Sequence, residues 1–409
     1  MKDIRKIFNI GKNDKSKMKE VSLFTLWEMI IITLAFAIFS SVITGYVVNI
    51  ATKNNILKDK ELQDITDTYN KIINEYYADV DKKDLATSAI DGMMNYLNEN
   101  YSEYMDTDET NALQDKLKGD YDGIGVEIGK IDDSVIIVTV FENSPAEIAG
   151  LKSGDVIIGV DKNEIKAETT LEEVTSFIKS KKKVTIKIKR EKKEYEFTVN
   201  IKNIEVPVVT SKTFERNDEK IGYLYLETFS DNADKQIRKK LTDLENKNIN
   251  SLILDLRGNT GGYLNVATDI ASIFLKKGKV IYGIENKNKK ENIKDDTKEE
   301  KTLPIVVLVD RGSASASEIL ASALKESYGA ILVGTKTFGK GRVQQTSKLS
   351  DDSLIKYTTA KWYTPNGDSI DGVGLTPGIT VELTEEYAKN PSDETDAQLQ
   401  KALDILANN

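Results

Sequence analysis

Three serines stand at alternate positions, Ser313, Ser315 and Ser317, in "GSASASEIL" just after the apolar run "LPIVVLVD", with Arg311 between them. Lys340 follows between two glycines in "TKTFGKG". The chain has no histidine and no cysteine. A Ser-His-Asp triad, a thiol nucleophile and His- or Cys-ligated metal sites are therefore excluded. The bases that remain are carboxylates, tyrosine and lysine. A lysine serves as a base only when neutral. Burial can bring its pKa from about 10.4 toward ~7–8.

These residues must be brought together by the elements around them. "LPIVVLVD" reads as a buried strand, "SEILASALKES" as a helix and "GAILVG" as the next strand. A β-α-β unit makes the two strands parallel with a right-handed crossover. Both then end at one sheet edge, where the serine loop and the lysine loop leave them. "SLILDLRGNTGG" reads as a third strand ending in glycines at the same edge. Sites in open α/β sheets favour the carboxyl ends of strands. A serine at a helix start also lies beside unpaired N–H groups that can stabilise an oxyanion.

Plainer readings of the same residues exist. Ser315 followed three residues later by Glu318 is a capping box, which alone accounts for a serine there. Ser313 and Ser317 suit a turn and a first helical turn, and "GKG" suits an exposed turn. "GTKTFGK" matches seven positions of a phosphate-binding loop. Gly341 then stands where the magnesium-ligating hydroxyl belongs, and a strand-like run follows instead of a helix.

The 409 residues allow two or three domains, and the net charge of −9 with no basic-aromatic stripe argues against nucleic acid as a partner. "MIIITLAFAIFSSVITGYVVNIAT" (29–52) carries no charge, and a flank rich in lysine precedes it. An apolar run of about 20 residues suffices to cross a bilayer as a helix. The positive flank places the N-terminus in the cytoplasm and the remaining chain outside. An uncleaved anchor is favoured over a secretory signal, because "AFA" falls too early in the run for a cleavage site.

The expected fold is multidomain, α/β and β. A cytoplasmic basic segment (1–23) leads to a transmembrane helix (24–52), then to a linker and small helical region (53–112). Short β-rich runs with two helices make 113–204 a compact β-sandwich or partly open barrel. Alternating strands and helices make 205–385 an α/β domain with a largely parallel sheet. Within it the charged stretch 285–301 reads as a solvated loop or hairpin tip. An amphipathic helix closes the chain (386–409).

Together these motifs resemble the C-terminal processing peptidases, or tail-specific proteases, which are serine peptidases with a Ser–Lys dyad and a PDZ domain. The resemblance runs from residue 62 nearly to the end. It is carried by "GSASASEILASAL", "VGTKTFGKGRVQQ", "LILDLRGNTGG", "GIGVEI…VFENSPAEIAGLKSGDVIIGVD", "YTPNGDSIDGVGLTPGITVE" and "AIDGMMNYLNENYSEYM". It implies Ser315 as nucleophile, Lys340 as base and Gln344 as support for the lysine. An extended strand would separate Lys340 from Gln344 by roughly 13 Å, so their contact needs a bend near Gly341. The implied oxyanion hole is the N–H of Ala316 with that of Gly261 or Gly262. Thr260 stands where many of the family carry proline, a swap that frees the loop's φ.

In the implied PDZ domain, the backbone at Gly123, Ile124, Gly125 and Val126 would receive a substrate's terminal carboxylate. The implied partners are proteins or peptides with accessible C-termini and the membrane; a homodimer is left open, and no cofactor is expected. A non-catalytic PDZ scaffold on a degenerate peptidase fold is the competing function. The presence of Ser315, Lys340 and Gln344 together favours the enzyme.

Overall fold

The structure, a computed structural model, describes residues 59–408 except Ser180, together with scattered positions between Trp27 and Thr44. Those scattered positions are helical, and their large side chains are exposed. The rest of the expected membrane anchor lies outside the described residues. Among the described residues no helix is long and apolar enough to cross a membrane. The chain divides into two units, one up to Ile90 and one from Asp91.

In the first unit, Asp59 caps the helix Lys60–Glu75 by accepting the Glu61 N–H. No residue of this helix is buried. A second helix, Lys82–Tyr96, begins in this unit.

The second unit holds a six-stranded sheet: Val209–Arg216, Glu219–Leu226, Ser251–Asp255, Ile305–Val309, Ile331–Gly334 and Ile379–Thr380, in chain order across the sheet. Only the first pair is antiparallel. Right-handed crossovers between parallel strands in sequential order put their helices on one face. The helices Ala233–Glu245, Leu264–Phe274 and Ala316–Ala323 share one apolar core there, through residues such as Ile237, Leu241, Ile270, Ile319 and Leu320. That winding leaves the opposite face uncovered. The closing helix Ala397–Ala407 covers it, setting Leu399, Leu403 and Leu406 against Ile221, Ile253, Val306 and Leu308.

A second, antiparallel sheet is built on Leu354–Tyr363. Arg342–Lys348 pairs with one side of it; Glu103–Met105 and Val280–Asn286 also pair with it. Sequence reading counted "KVIYGI" among the alternating elements of the main sheet, but this run belongs here. The charged 285–301 stretch contains the turn and return strand of the hairpin Val280–Asn286/Lys290–Lys294.

Residues 120–205 make a separate β-domain. Its sheet runs Val126–Ile131, Ser134–Val140, Val156–Val160, Lys183–Arg190, Lys193–Asn200. The helices Pro145–Ala149 and Leu171–Ile178 pack on it around Ile137, Ile157, Val174, Ile186 and Ile188. Asp120–Gly123 pairs with Lys202–Glu205 where the chain enters and leaves.

Candidate active site

The strands Ile305–Val309 and Ile331–Gly334 run parallel, with Val309 opposite Gly334. The serine loop and the lysine loop therefore leave one sheet edge side by side. In the serine loop, Asp310 Oδ1 accepts N–H groups from Gly258, Gly312 and Ser313 at 2.9, 2.9 and 3.0 Å. Ser313 donates its hydroxyl to Leu256 O, and Ser317 donates its own to Asn259 O, each at 2.8 Å and fully buried. Two of the three serines are thus engaged in holding loops together.

Ser315 differs. It is half-buried at the N-cap of Ala316–Ala323, where it forms a capping box with Glu318, and its hydroxyl makes no hydrogen bond to another loop among the described residues. Its carbonyl receives the Glu318 and Ile319 N–H groups at 2.9 and 3.0 Å. Its backbone sits at φ 56°, ψ −114°, an unusual conformation for a residue with a Cβ. Such strain persists only where surrounding contacts hold it. Here the Ser315 N–H is fixed to Glu318 Oε2 at 2.9 Å.

Glu318 is fully buried and reaches the lysine loop as well. Its Oε1 accepts the Thr337 hydroxyl at 2.6 Å and the Gly339 N–H at 2.7 Å, and its Oε2 accepts the Lys340 N–H at 2.9 Å. The capping-box reading was correct as far as it went: Glu318 does reach back to the Ser315 N–H. It missed that the same carboxylate ties down the second loop. Trp362, buried, donates its indole N–H to Lys340 O at 2.8 Å. After Lys340 comes the strand Arg342–Lys348 and no helix, so the phosphate-loop pattern has no helix N-terminus behind it.

The Lys340 ammonium lies over the ring of Tyr101, 5.1 Å from its centroid. Tyr101 arrives on a segment clamped by the Glu99–Arg342 ion pair and by the Thr358 N–H bonded to Ser102 Oγ at 3.1 Å. Burial pulls the Lys340 pKa below its ordinary value, and the positive charge of Lys356 adds to this; Glu103 and Glu318 oppose it. No hydrogen bond joins Lys340 Nζ to Ser315 Oγ among the described residues. Gln344 follows a β-bulge and bonds Thr358 Oγ1 at 3.3 Å; it makes no hydrogen bond to Lys340.

The glycine loop closes the site. Behind it, Arg257 is held by Asp255 and Asp396, and Tyr223 donates to Asp255 at 2.7 Å. Burial alone would lower the Arg257 pKa, but its bonds to the two carboxylates raise it overall. A Cβ on Gly261 would come within 3.0 Å of Ala314 O and of Ser315 Cβ, so only glycine brings this backbone against the serine. The Gly261 N–H is already engaged by Asn259 Oδ1 at 2.9 Å. The N–H groups of Gly262 and Ala316 have no partner among the described residues. Ser315, Ala316, Lys340, Gln344, Gly261 and Gly262 all line one cavity of about 600 Å³.

Of the residues Gly123–Val126, Gly123 ends the strand Asp120–Gly123, Val126 begins the strand Val126–Ile131, and Ile124 and Gly125 join them, with Gly125 at φ 83°. The Ile124 and Gly125 carbonyls are turned inward, accepting N–H groups of Ala146 (2.9 Å) and Phe141 (3.0 Å). A cavity of about 430 Å³ lies between this strand and the helix Leu171–Ile178, lined by Ile124, Val126, Ile128, Phe141 and Ile178.

The profile of peptidase family S41 matches residues 220–381, that of a PDZ domain 123–201, and that of the activating protease CtpB N-terminal domain 42–110. The carboxy-terminal processing protease CtpB of Bacillus subtilis is 38% identical over 357 residues, covering 86% of this chain and 73% of that protein. The carboxy-terminal processing protease CtpA of the same organism is 34% identical over 370 residues, covering 89% and 79%. The chain belongs to the S41 carboxy-terminal processing peptidases. A Bacteroides fragilis structure described as an S41 protease overlays with a TM-score of 0.50 at 17% identity, over 78% of this chain and 90% of that one, and so shares the fold. This S41 peptidase is thus a serine-type peptidase with a PDZ domain. The resemblance read from its motifs is the family it belongs to.

Sequence reading missed Glu318 as a junction, Tyr101 as the ring beneath the lysine and Asn259 as the partner of Gly261. For Glu318 the signal was visible but ambiguous. For Tyr101 and Asn259 no local pattern pointed to the role.

Proposed function

We propose that this S41 peptidase is a membrane-anchored endopeptidase that cuts extracytoplasmic proteins with a Ser315–Lys340 dyad and takes substrate C-termini on its PDZ domain. One observation carries the dyad. Of three alternating serines only Ser315 keeps its hydroxyl free of loop-holding bonds, and it faces the same cavity as a lysine whose charged form is disfavoured by burial.

Neutral Lys340 takes the proton from Ser315 Oγ as the oxygen attacks the scissile carbonyl. The Ala316 and Gly262 N–H groups receive the oxyanion of the tetrahedral intermediate. The lysine then returns its proton to the leaving amine, and an acyl-serine remains. Water attacks that ester with Lys340 again taking a proton, which releases the carboxylic acid and restores the serine. Gln344 supports the lysine once Nζ swings from Tyr101 toward Ser315. Catalytic hydrogen bonds are often long in a substrate-free site and tighten only with substrate bound.

The anchor is supported by the uncharged run 29–52 behind a basic flank, and by the exposed apolar side chains of the helical positions described between Trp27 and Thr44. It puts the N-terminus in the cytoplasm and residues 53–409 outside. With membership of the peptidase family shown, no observation favours the scaffold reading. The test is cleavage of an unstructured peptide by the wild-type chain and by Ser315→Ala. The proposal expects products from the first and none from the second; equal cleavage by both contradicts it.

A further inference from the structure

The cavity that holds Ser315 has a one-sided charge. Asp and Glu make up 66 of the 409 residues, and the chain carries a net charge of −9. Among the described residues none of these acids lines the cavity, whereas Lys116, Lys340, Arg342 and Lys356 do. Three of the cations are accounted for. Arg342 is paired with Glu99 and Asp371, Lys356 is paired with Glu103, and burial disfavours the charged form of Lys340. Lys116 is exposed and has no ion pair among the described residues.

Lys116 lies in the last turn of the helix Thr107–Lys118, and Leu113 and Leu117 line the cavity with it. Spacings of three and four residues put all three on one face of that helix. The end of the helix is pinned to the peptidase core. Leu117 O accepts the Asp231 N–H at 2.9 Å, and Gly119 O accepts the Asn232 side-chain amide at 2.8 Å. Two residues before Asp231, Phe229 bonds the glycine loop twice: its N–H donates to Gly261 O at 3.0 Å, and its carbonyl accepts the Tyr263 N–H at 2.8 Å. Lys116 is therefore held at the serine's cavity by the segment that also steadies the glycine loop. A basic residue in a last helical turn is favoured by the helix dipole alone. Lys118 in the same turn shows that plainer role: it pairs with Asp120 at 2.8 Å and does not line the cavity.

We propose that Lys116 is a specificity-determining residue, which selects substrates carrying an acidic side chain close to the scissile bond. This rests on reading the cavity as the place where Ser315 cuts. A peptide lying across the cavity displaces water from the Lys116 ammonium. A glutamate or aspartate there replaces that water with a charge-assisted hydrogen bond. A lysine or arginine meets a positive charge that nothing in the cavity balances, and such like-charge contact suppresses the wrong partner.

The test uses the full chain and a ten-residue unstructured peptide that it cleaves, with glutamate, glutamine or lysine placed in turn at each position but the last. The wild-type chain should cut the best-placed glutamate peptide about 2- to 5-fold faster in kcat/KM than the glutamine peptide, the range of one partly exposed charge pair, and the lysine peptide more slowly still. Lys116→Ala should level the three, and Lys116→Glu should reverse their order. Lys118→Ala, on the same helical turn, should leave the wild-type order in place. Equal cleavage of all three at every position by the wild-type chain overturns the proposal, and so does an order that survives Lys116→Glu. Ser315→Ala keeps the two readings apart. If it cuts nothing while charge makes no difference to the wild-type chain, the nucleophile stands and only the role of Lys116 falls. If it still cuts the peptides, the reading of the cavity fails and the proposal falls with it.

Discussion

Ser315 and Lys340 donate their backbone N–H groups to the same oxygen, Oε2 of Glu318, each at 2.9 Å. The two loops that carry the chemistry are pinned to one buried carboxylate at the start of one helix. With the Thr337 hydroxyl and the Gly339 N–H on Oε1, four hydrogen bonds to this carboxylate fix the relative position of the loops, which does not depend on a direct contact between the two side chains.

Glu318→Gln tests this pin. Glutamine keeps one acceptor oxygen but turns an NH₂ group toward donors, either those on Oε1 or those on Oε2. Leaving buried donors unpaired costs about 1–3 kcal/mol of stability. A displacement of about 1 Å between reacting groups can cost ~100-fold in rate. The expected outcome is a folded protein with kcat lowered about 100-fold and a lower Tm. Full activity in this variant contradicts the role given to Glu318.

The serines separate by function. Ser313→Ala and Ser317→Ala each remove one of two donors from a carbonyl: Leu256 O keeps the Asn259 N–H, and Asn259 O keeps the Ala314 N–H. Each should lower stability by about 0.5–1.5 kcal/mol, seen as a reduced midpoint in urea unfolding, while part of the activity survives. Ser315→Ala should unfold like the wild type, with no measurable turnover. Equal loss from all three in folded proteins would leave the nucleophile unassigned.

Tyr101→Leu concerns the lysine's proton. A ring beneath an ammonium stabilises only the charged form, by about 0.5–1 kcal/mol. Leucine keeps apolar cover but removes that attraction, so the neutral lysine gains. Lys356, Glu103 and Glu318, the charges that bear on Lys340, stay as they are. The rising limb of kcat/KM against pH should move about half a unit toward lower pH, since 1.36 kcal/mol corresponds to one unit. A shift toward higher pH would mean the ring acts only by supporting the neutral lysine.

Arg257→Ala leaves Asp255 and Asp396 as buried carboxylates without their counter-charge. Breaking a buried pair in this way costs about 3–5 kcal/mol. The variant should show a much lower unfolding midpoint, because Asp396 caps the closing helix and Asp255 ends the strand that feeds the glycine loop. A midpoint close to wild type would show that the closing helix is held by its leucines alone.

Much of the site was legible because parallel strands carry a strong topological rule. Once "LPIVVLVD" and "GAILVG" were strands joined by a helix, Ser315 and Lys340 had to share an edge, and they do. The Arg342–Lys348 strand after the lysine was equally readable. What failed was whatever depended on pairing between distant segments. "KVIYGI" has the composition of a strand, but composition does not say which sheet a strand joins, and it joined the antiparallel one. Tyr101 sits in a helical-looking region, and only Glu99–Arg342 and the pairing of Glu103–Met105 with Leu354–Tyr363 bring it to the lysine. Gly261 and Gly262 were indistinguishable as donors until Asn259 was seen to occupy the first. Glu318 looked like a helix cap because it is one; its second task needed the lysine loop in three dimensions.

The most direct test of the Ser315–Lys340 account is the pH dependence of kcat/KM for an unstructured peptide, measured for the wild-type chain and for Lys340→Arg. Burial lowers the Lys340 pKa, so a growing share of the lysine is neutral as pH rises through that lowered value. The wild-type rate should climb along a single rising limb placed below the ordinary lysine pKa of about 10.4 and then level off. Arginine keeps the positive charge but does not give up its proton in this range, so the Lys340→Arg chain should be inactive at every pH. An arginine variant that cleaves the peptide, or a wild-type rate with no rising limb below the ordinary lysine range, would contradict the account.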